Sequence, residues 1–171
     1  WTGPGSLRYL LSRKGLSLLN QEEILQAWEG VQWPGRLEVI SSQPLIILDG
    51  AHNPHAVAPL VATIKERYGQ LDKQVLFTCI QTKAIEEMLE LWSGLEKSQL
   101  TLTTFEDSRA YSVRDMQEIA HQKGLPYHEW KLFLTNYIEK ESQQSDLLLV
   151  TGSLYFLAQV RAFLIEKISR R

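Results

Sequence analysis

Short apolar runs and longer amphipathic runs alternate along most of the chain. The short runs are rich in Val, Ile, Leu and Phe, which favours strands, and the longer ones repeat their apolar positions every three or four residues, as helices do. We predict strands at 37–40, 45–48, 74–80, 100–105, 127–130 and 147–150. We predict helices at about 53–68, 84–95, 113–123, 131–141 and 154–168. This alternation predicts an α/β fold: a Rossmann-like doubly wound, mostly parallel sheet with helices on both faces.

The first 35 residues differ from this pattern. Their apolar residues follow a modest helical spacing between Leu7 and Trp28, with too little apolar surface to fold alone. We therefore expect residues 1–35 to be the remnant of a preceding domain and its linker, with a hinge at 32–35, and residues 36–171 to form one domain. Because the chain starts at Trp1 and not at Met, we expect it to be a fragment or a processed product.

Composition restricts the class of protein. A chain of 171 residues with 44% hydrophobic and 22% charged residues is typical of one soluble domain. A net charge of -2 gives no general attraction to nucleic acid or to an anionic membrane, and no apolar run is long enough to span a bilayer. The single cysteine, Cys79, lies in an apolar run and cannot form an internal disulfide, which favours the cytoplasm.

Ligands of open α/β sheets bind at the carboxyl ends of the strands, where the loops 49–53, 81–83 and 151–153 are predicted. Asp49 follows an apolar strand, and Asn53-Pro54 supplies a helix cap and a first-turn proline. A carboxylate held there suits ribose hydroxyls, but an aspartate that only caps a buried turn fits the spacing equally well. Both interpretations remain open.

Two histidines, His52 and His55, are three residues apart in the same segment. The spacing raises the question of zinc, but no third ligand follows at a recognisable distance, so we predict no metal site. His52 is instead a candidate donor, neutral or protonated, to a ligand oxygen. An exposed histidine at a helix start is the alternative.

Three further residues are candidates at the same edge of the sheet. Arg36 could bind phosphate through its planar guanidinium, and Lys83 could add a second positive charge, although both residue types are often merely solvated. Ser153, after an apolar strand, either caps the last helix, which local evidence favours, or presents its hydroxyl to a small substrate. The sequence contains no phosphate loop, no G-x-G-x-x-G and no nucleophile elbow.

Three segments in order, Trp33-Pro34-Gly35-Arg36-Leu37-Glu38, Leu48-Asp49-Gly50-Ala51-His52-Asn53-Pro54-His55 and Thr151-Gly152-Ser153-Leu154-Tyr155, carry a family resemblance. They resemble the C-terminal domain of folylpolyglutamate synthase and dihydrofolate synthase in the Mur ligase superfamily. The resemblance implies an ATP-dependent ligase that adds glutamate to folates through an acyl phosphate, with ATP and Mg²⁺ as cofactors. It also implies that the phosphate loop, the magnesium ligands and most of the folate site belong to a preceding domain.

The resemblance assigns roles to particular residues. It implies that Arg36 contacts an ATP phosphate and that Asp49 contacts the nucleotide. It also implies that His52 and Ser153 are catalytic residues near the incoming glutamate or the reacting centre. The family often has Asp-Lys where this chain has Thr82-Lys83, so Lys83 is retained as a candidate and the carboxylate is missing. The alternative function is a catalytically silent nucleotide-binding module of the same fold.

Overall fold

The computed structural model describes residues 35–139 and 146–169. The chain separates into two units, Trp1–Trp33 and Pro34–Arg171, and all described residues belong to the second. The predicted division into a remnant at 1–35 and a domain at 36–171 stays a prediction, because residues 1–34 lie outside the described residues. The same holds for the predicted hinge, of which only Gly35 is described.

Five strands form one sheet in the described part of the chain: β1 (Glu38–Ser42), β2 (Leu45–Asp49), β3 (Lys73–Thr78), β4 (Ser98–Leu102) and β5 (Leu147–Gly152). Their order across the sheet is β1-β2-β5-β3-β4. The pairs β2–β5, β5–β3 and β3–β4 are parallel, whereas β1 runs antiparallel to β2. The prediction of a mostly parallel sheet is confirmed.

Helices cover both faces of this sheet. They are α1 (Pro54–Tyr68), α2 (Ile85–Ser93), α3 (Val113–Lys123), α4 (Trp130–Glu139) and α5 (Leu154–Ser169). Apolar residues of α1, α2 and α3 pack with one face of the strands, and those of α4 and α5 pack with the other. The doubly wound arrangement is thus confirmed. No helix in the described residues is long and apolar enough to cross a membrane.

The predicted strand at 127–130 is wrong. Tyr127 forms only an isolated bridge with Leu102, and Trp130 already begins α4. The carboxylate of Glu129 accepts the backbone N–H groups of Lys131 and Leu132 at 3.1 and 2.8 Å, so it satisfies two donors that a new helix leaves free. This cap, together with burial of the Trp130 ring, makes the segment a helix start.

Local signals place α1 directly behind the loop that follows β2. The Asn53 side chain accepts the N–H of Ala56 at 3.0 Å, and Pro54 occupies the first helical turn, where its missing N–H costs nothing. The helix therefore starts five residues after Asp49, and the loop between them lies at the carboxyl end of β2.

Candidate functional site

Two turns are hydrogen-bonded to each other at the carboxyl end of β2. The N–H of Gly50 donates to the carbonyl of Gly35 at 2.6 Å, and the N–H of Leu37 donates to Asp49 Oδ2 at 3.0 Å. Arg36 lies between these two bonds and is exposed. The structure therefore brings Arg36 and Asp49 together, although they are 13 residues apart in sequence.

Asp49 fixes both turns with its carboxylate. Its second oxygen, Oδ1, accepts the N–H of Ala51 at 2.9 Å. Burial raises the pKa of Asp49, while the hydrogen bonds from Leu37 and Ala51 and the charge of Arg36 oppose that rise. Asp49 does cap a turn, as one of the two interpretations held, and its contact with a nucleotide stays a prediction.

Glycine occupies two positions of this junction, Gly35 and Gly50. A Cβ on Gly50 would lie 2.3 Å from Cδ2 of Leu154 and 3.2 Å from the carbonyl oxygen of Gly35. Gly35 itself has a φ of 75°, which residues with a side chain rarely adopt. The Leu154 side chain is exposed and its end can move, so the tighter limit at Gly50 is the 3.2 Å contact with the backbone of Gly35, and at Gly35 the preference for glycine comes from its φ.

His52 is exposed and bound to its own loop. Its Nδ1 lies 2.7 Å from the carbonyl oxygen of Gly50, and because a carbonyl can only accept, Nδ1 must carry the proton. In the neutral ring with this hydrogen bond Nε2 is then an acceptor, and the contact of His52 with a ligand stays a prediction. Only the protonated ring would donate through Nε2.

Ser153 occupies the cap position of α5. Its carbonyl accepts the N–H of Leu157 at 3.0 Å, and its own N–H donates to the carbonyl of Thr78 at 3.3 Å, which ties β5 to β3. Ser153 is only 5% exposed, and its hydroxyl forms no hydrogen bond with any described residue. The backbone part of the predicted cap is present, but the hydroxyl does not serve as the cap.

Lys83 lies farther along the same edge. Because β5 separates β2 from β3, the loops after these two strands are about 10 Å apart. Thr82 accepts the N–H of Ala84 on its hydroxyl at 3.2 Å, and its backbone exchanges hydrogen bonds with the hydroxyl of Tyr111. The Thr82 hydroxyl thus forms the local bond that an aspartate could form there, and only the negative charge is missing.

One important residue was not a candidate. Glu38 lies in the segment that carries the resemblance, but an acidic residue in an edge strand is expected to face solvent. It is 6% exposed instead, and its carboxylate accepts the N–H of Gly35 at 3.0 Å and Nε of Arg161 at 2.9 Å. Nothing in the local pattern around Arg161 indicates this contact, because the two residues are 123 positions apart.

The described residues contain no group of three His, Cys, Asp or Glu side chains that could hold a metal ion. His52 and His55 are both exposed, and neither belongs to a group of possible metal ligands among those residues. The side chains of Arg36 and Lys83 are both exposed, and their contact with an anion stays a prediction.

Comparison with known proteins places this geometry in a family. The family model described as Mur ligase, glutamate ligase domain matches residues 35–154. The dihydrofolate synthase/folylpolyglutamate synthase of Bacillus subtilis is 26% identical over 151 residues, which are 88% of this chain and 35% of that protein. The folylpolyglutamate synthase of Lacticaseibacillus casei is 26% identical over 147 residues, 86% of this chain and 33% of its own length.

A solved structure agrees with these relatives. The crystal structure of a bifunctional folylpolyglutamate synthase/dihydrofolate synthase from Yersinia pestis, complexed with AMPPNP and Mn ion, aligns with a TM-score of 0.64 and 26% identity. The alignment covers 90% of this chain and 37% of that one. The chain thus spans about a third of the length of the curated relatives it matches. From the family match over residues 35–154 and the fold, the chain belongs to the Mur ligase family, as its glutamate ligase domain.

Proposed function

We propose that this chain is the C-terminal lid domain of an ATP-dependent ligase that adds glutamate to folates through an acyl phosphate. The observation that supports this most is the junction of the Arg36 turn with the Asp49 loop at the carboxyl end of β2. The named relatives are folylpolyglutamate or dihydrofolate synthases about three times as long as the matched region. In this proposal the rest of the enzyme supplies the phosphate loop, the Mg²⁺ ligands and most of the folate site.

Arg36 is proposed to bind a phosphate of ATP. Its guanidinium is exposed, whereas the backbone on either side of it is held by carboxylates, through Gly35 to Glu38 and through Leu37 to Asp49. The fixed backbone sets where the side chain starts, and the planar guanidinium matches phosphate oxygens with two parallel donors. Such a group also stabilises negative charge that builds up as the phosphoryl group is transferred.

Asp49 is proposed to accept a hydrogen bond from the nucleotide, at the ribose. Both of its oxygens already accept one backbone N–H, from Leu37 and from Ala51. Each carboxylate oxygen can accept more than one hydrogen bond, so a ligand hydroxyl can still be bound. The backbone bonds would hold the carboxylate in place for that contact.

His52 is proposed to receive the proton of the attacking amine. When the nitrogen of glutamate attacks the acyl phosphate, a C–N bond forms, the bond from the carbonyl carbon to the phosphate oxygen breaks, and the nitrogen loses a proton. Nε2 of His52 can take that proton because Nδ1–H is already bound to Gly50. Ser153, being 5% exposed, is assigned the lesser role of lining the glutamate site at the start of α5.

The cofactors of the proposed enzyme are ATP and Mg²⁺. Bound Mg²⁺ would neutralise phosphate charge, and its ligands are assigned to the preceding domain. The proposed partners are ATP, folate, glutamate and that domain, with the hinge at 32–35 allowing the lid to close, and the proposed location is the cytoplasm. We expect the isolated chain of 171 residues to show no ligase turnover.

The test uses the full-length protein that contains this chain, with Arg36→Ala compared with Arg67→Ala. Arg67 is an exposed arginine in the last turn of α1. The candidate site lies at the first turn of that helix, so Arg67 is a control for the loss of one positive charge away from the site. Glutamate addition to a reduced folate is followed by mass spectrometry at varied ATP. We expect kcat/KM for ATP to fall by about a hundredfold in Arg36→Ala, as for a lost bidentate ion pair, and to stay unchanged in Arg67→Ala.

Three results would contradict the proposal. One is an Arg36→Ala enzyme as active as wild type at every ATP concentration. Another is a full-length protein that binds ATP but never forms the amide, which would favour the silent nucleotide-binding module. The third is ligase turnover by the isolated chain, which would remove the need for a preceding domain.

A further inference from the structure

Glu38 has an unusual environment for an acidic residue in an edge strand. It is 6% exposed, and each of its two oxygens accepts a hydrogen bond, Oε2 from the N–H of Gly35 at 3.0 Å and Oε1 from Nε of Arg161 at 2.9 Å. Burying a carboxylate costs solvation unless charge and hydrogen bonds compensate for it. Both compensations are present, so the position is built for a carboxylate.

The contact with Gly35 bears directly on Arg36. Gly35 and Leu37, the neighbours of Arg36 on either side, both have positive φ values, 75° and 44°. Glycine adopts a positive φ freely, but a leucine rarely does, so the strain of this turn lies at Leu37, directly after Arg36, and the turn needs external support. Two carboxylates supply it: Glu38 holds the N–H of Gly35, and Asp49 holds the N–H of Leu37.

Arg161 extends this support to the other side of the sheet. It lies on α5, whose apolar side packs with the face that also carries α4, and it joins that helix to β1 through Glu38. The pair is asymmetric, because the Glu38 side chain is 8% exposed and that of Arg161 is 46% exposed. Arg161 can therefore be replaced without opening the core, whereas Glu38 cannot.

We propose that Glu38, held by Arg161, is a positioning residue that sets the turn presenting Arg36 to the phosphate of the nucleotide. Its carboxylate acts on Arg36 through the backbone of Gly35, whose N–H it accepts. This inference rests on the proposed function of Arg36, and the test below separates the two. It predicts that replacing Glu38 lowers kcat/KM for ATP only when Arg36 is present.

The experiment is a double-mutant cycle in the full-length protein containing this chain. Glu38→Gln keeps the shape of the side chain but turns an NH₂ group toward one of the two donors. We expect kcat/KM for ATP to fall about tenfold, since a hydrogen bond to a charged group is lost or weakened. In an Arg36→Ala background the same change should alter kcat/KM for ATP by less than about twofold, because the residue it positions is gone.

Variants of Arg161 test the same ion pair from its exposed side, so they remain informative if the Glu38 variant does not fold. Arg161→Gln should lower kcat/KM for ATP in the same direction, and Arg161→Lys, which keeps a charged donor, should restore most of it. Glu66→Gln, an exposed glutamate on α1, is the matched control for loss of one negative charge and should have no effect. Circular dichroism and thermal melting check that every variant is folded.

Each outcome has one meaning. Equal losses from Glu38→Gln in the wild-type and Arg36→Ala backgrounds would show a general structural role and overturn the inference. Unchanged kcat/KM in both Glu38→Gln and Arg161→Gln would overturn it as well, while a deficient Arg36→Ala enzyme would leave the proposed function intact. If Arg36→Ala itself has no effect on ATP use, the proposed phosphate contact fails, whatever Glu38 does.

Discussion

Replacing Gly152 by alanine tests how tightly the candidate site is packed. A Cβ at this position would lie 1.7 Å from the carbonyl oxygen of Thr78 and 2.8 Å from its carbonyl carbon, so β5 and β3 would have to separate by more than about 1 Å. The backbone φ of 125° adds strain, about 1–3 kcal/mol for a residue with a side chain, and overpacking adds about 1–3 kcal/mol more. We expect unfolding free energy to fall by about 2–6 kcal/mol, a large share of the stability of a small domain.

Gly124→Ala is the matched control. Gly124 also has a positive φ, 64°, but nothing lies within 4 Å of the Cβ it would gain, so only the backbone strain of about 1–2 kcal/mol applies. Urea unfolding of residues 1–171, followed by far-ultraviolet circular dichroism, gives both values. A Gly152→Ala chain no less stable than Gly124→Ala would refute the argument, because the clash with Thr78 would then cost nothing.

Three further predictions concern charged and titrating groups. Asp49→Ala should lower the unfolding free energy by about 2–4 kcal/mol in urea titrations, because two backbone N–H groups lose their acceptor, and Asp49→Asn should lie between it and wild type. Lys73→Met should cost about 1–3 kcal/mol in the same assay, since the buried ammonium donates to the carbonyls of Tyr68 and Leu71. Burial raises the pKa of Cys79 to about 12 from 9.0, so the folded state keeps a proton that the unfolded state loses in that range. The stability advantage of wild type over Cys79→Ala should therefore fall by up to about 1.4 kcal/mol per pH unit above pH 9, and a constant difference would contradict it.

Much of the fold follows from local signals that act within a few residues. Helix α3 was predicted at 113–123 and is found at Val113–Lys123, because the Ser112 hydroxyl accepts the N–H of Asp115 and Gly124 ends the helix in the left-handed conformation. The central strands were predicted from their apolar runs, because strands buried on both faces need such runs. These features depend on chemistry that neighbouring residues carry.

Features that depend on distant partners could not be predicted in the same way. The inward position of Glu38 is such a feature, because its partner Arg161 lies on the last helix. The antiparallel direction of β1 is local instead, since only two residues separate Ser42 from Leu45 and so short a connection joins antiparallel strands. The wrong strand at 127–130 has a local cause, because the segment contains His128 and Glu129 and the carboxylate of Glu129 caps a helix there. In the candidate site, Asp49 and Arg36 could be named from sequence, whereas the contacts of Glu38 with Gly35 and Arg161 could not.

The contacts of Glu38 and Asp49 show how charge is distributed around the Arg36 turn. The net charge of -2 predicts no attraction for anions, yet the carboxylates near the Arg36 turn are already engaged: Asp49 binds two backbone N–H groups, and Glu38 binds Gly35 and Arg161. None of the three ion pairs between described residues involves Arg36 or Lys83, whose side chains are exposed. The carboxylates keep their charge, and Asp49 interacts electrostatically with Arg36, but both carboxylates are turned toward the backbone while the side chains of Arg36 and Lys83 are exposed. The local arrangement of charge, and not the net charge, therefore decides whether an anion can approach this edge.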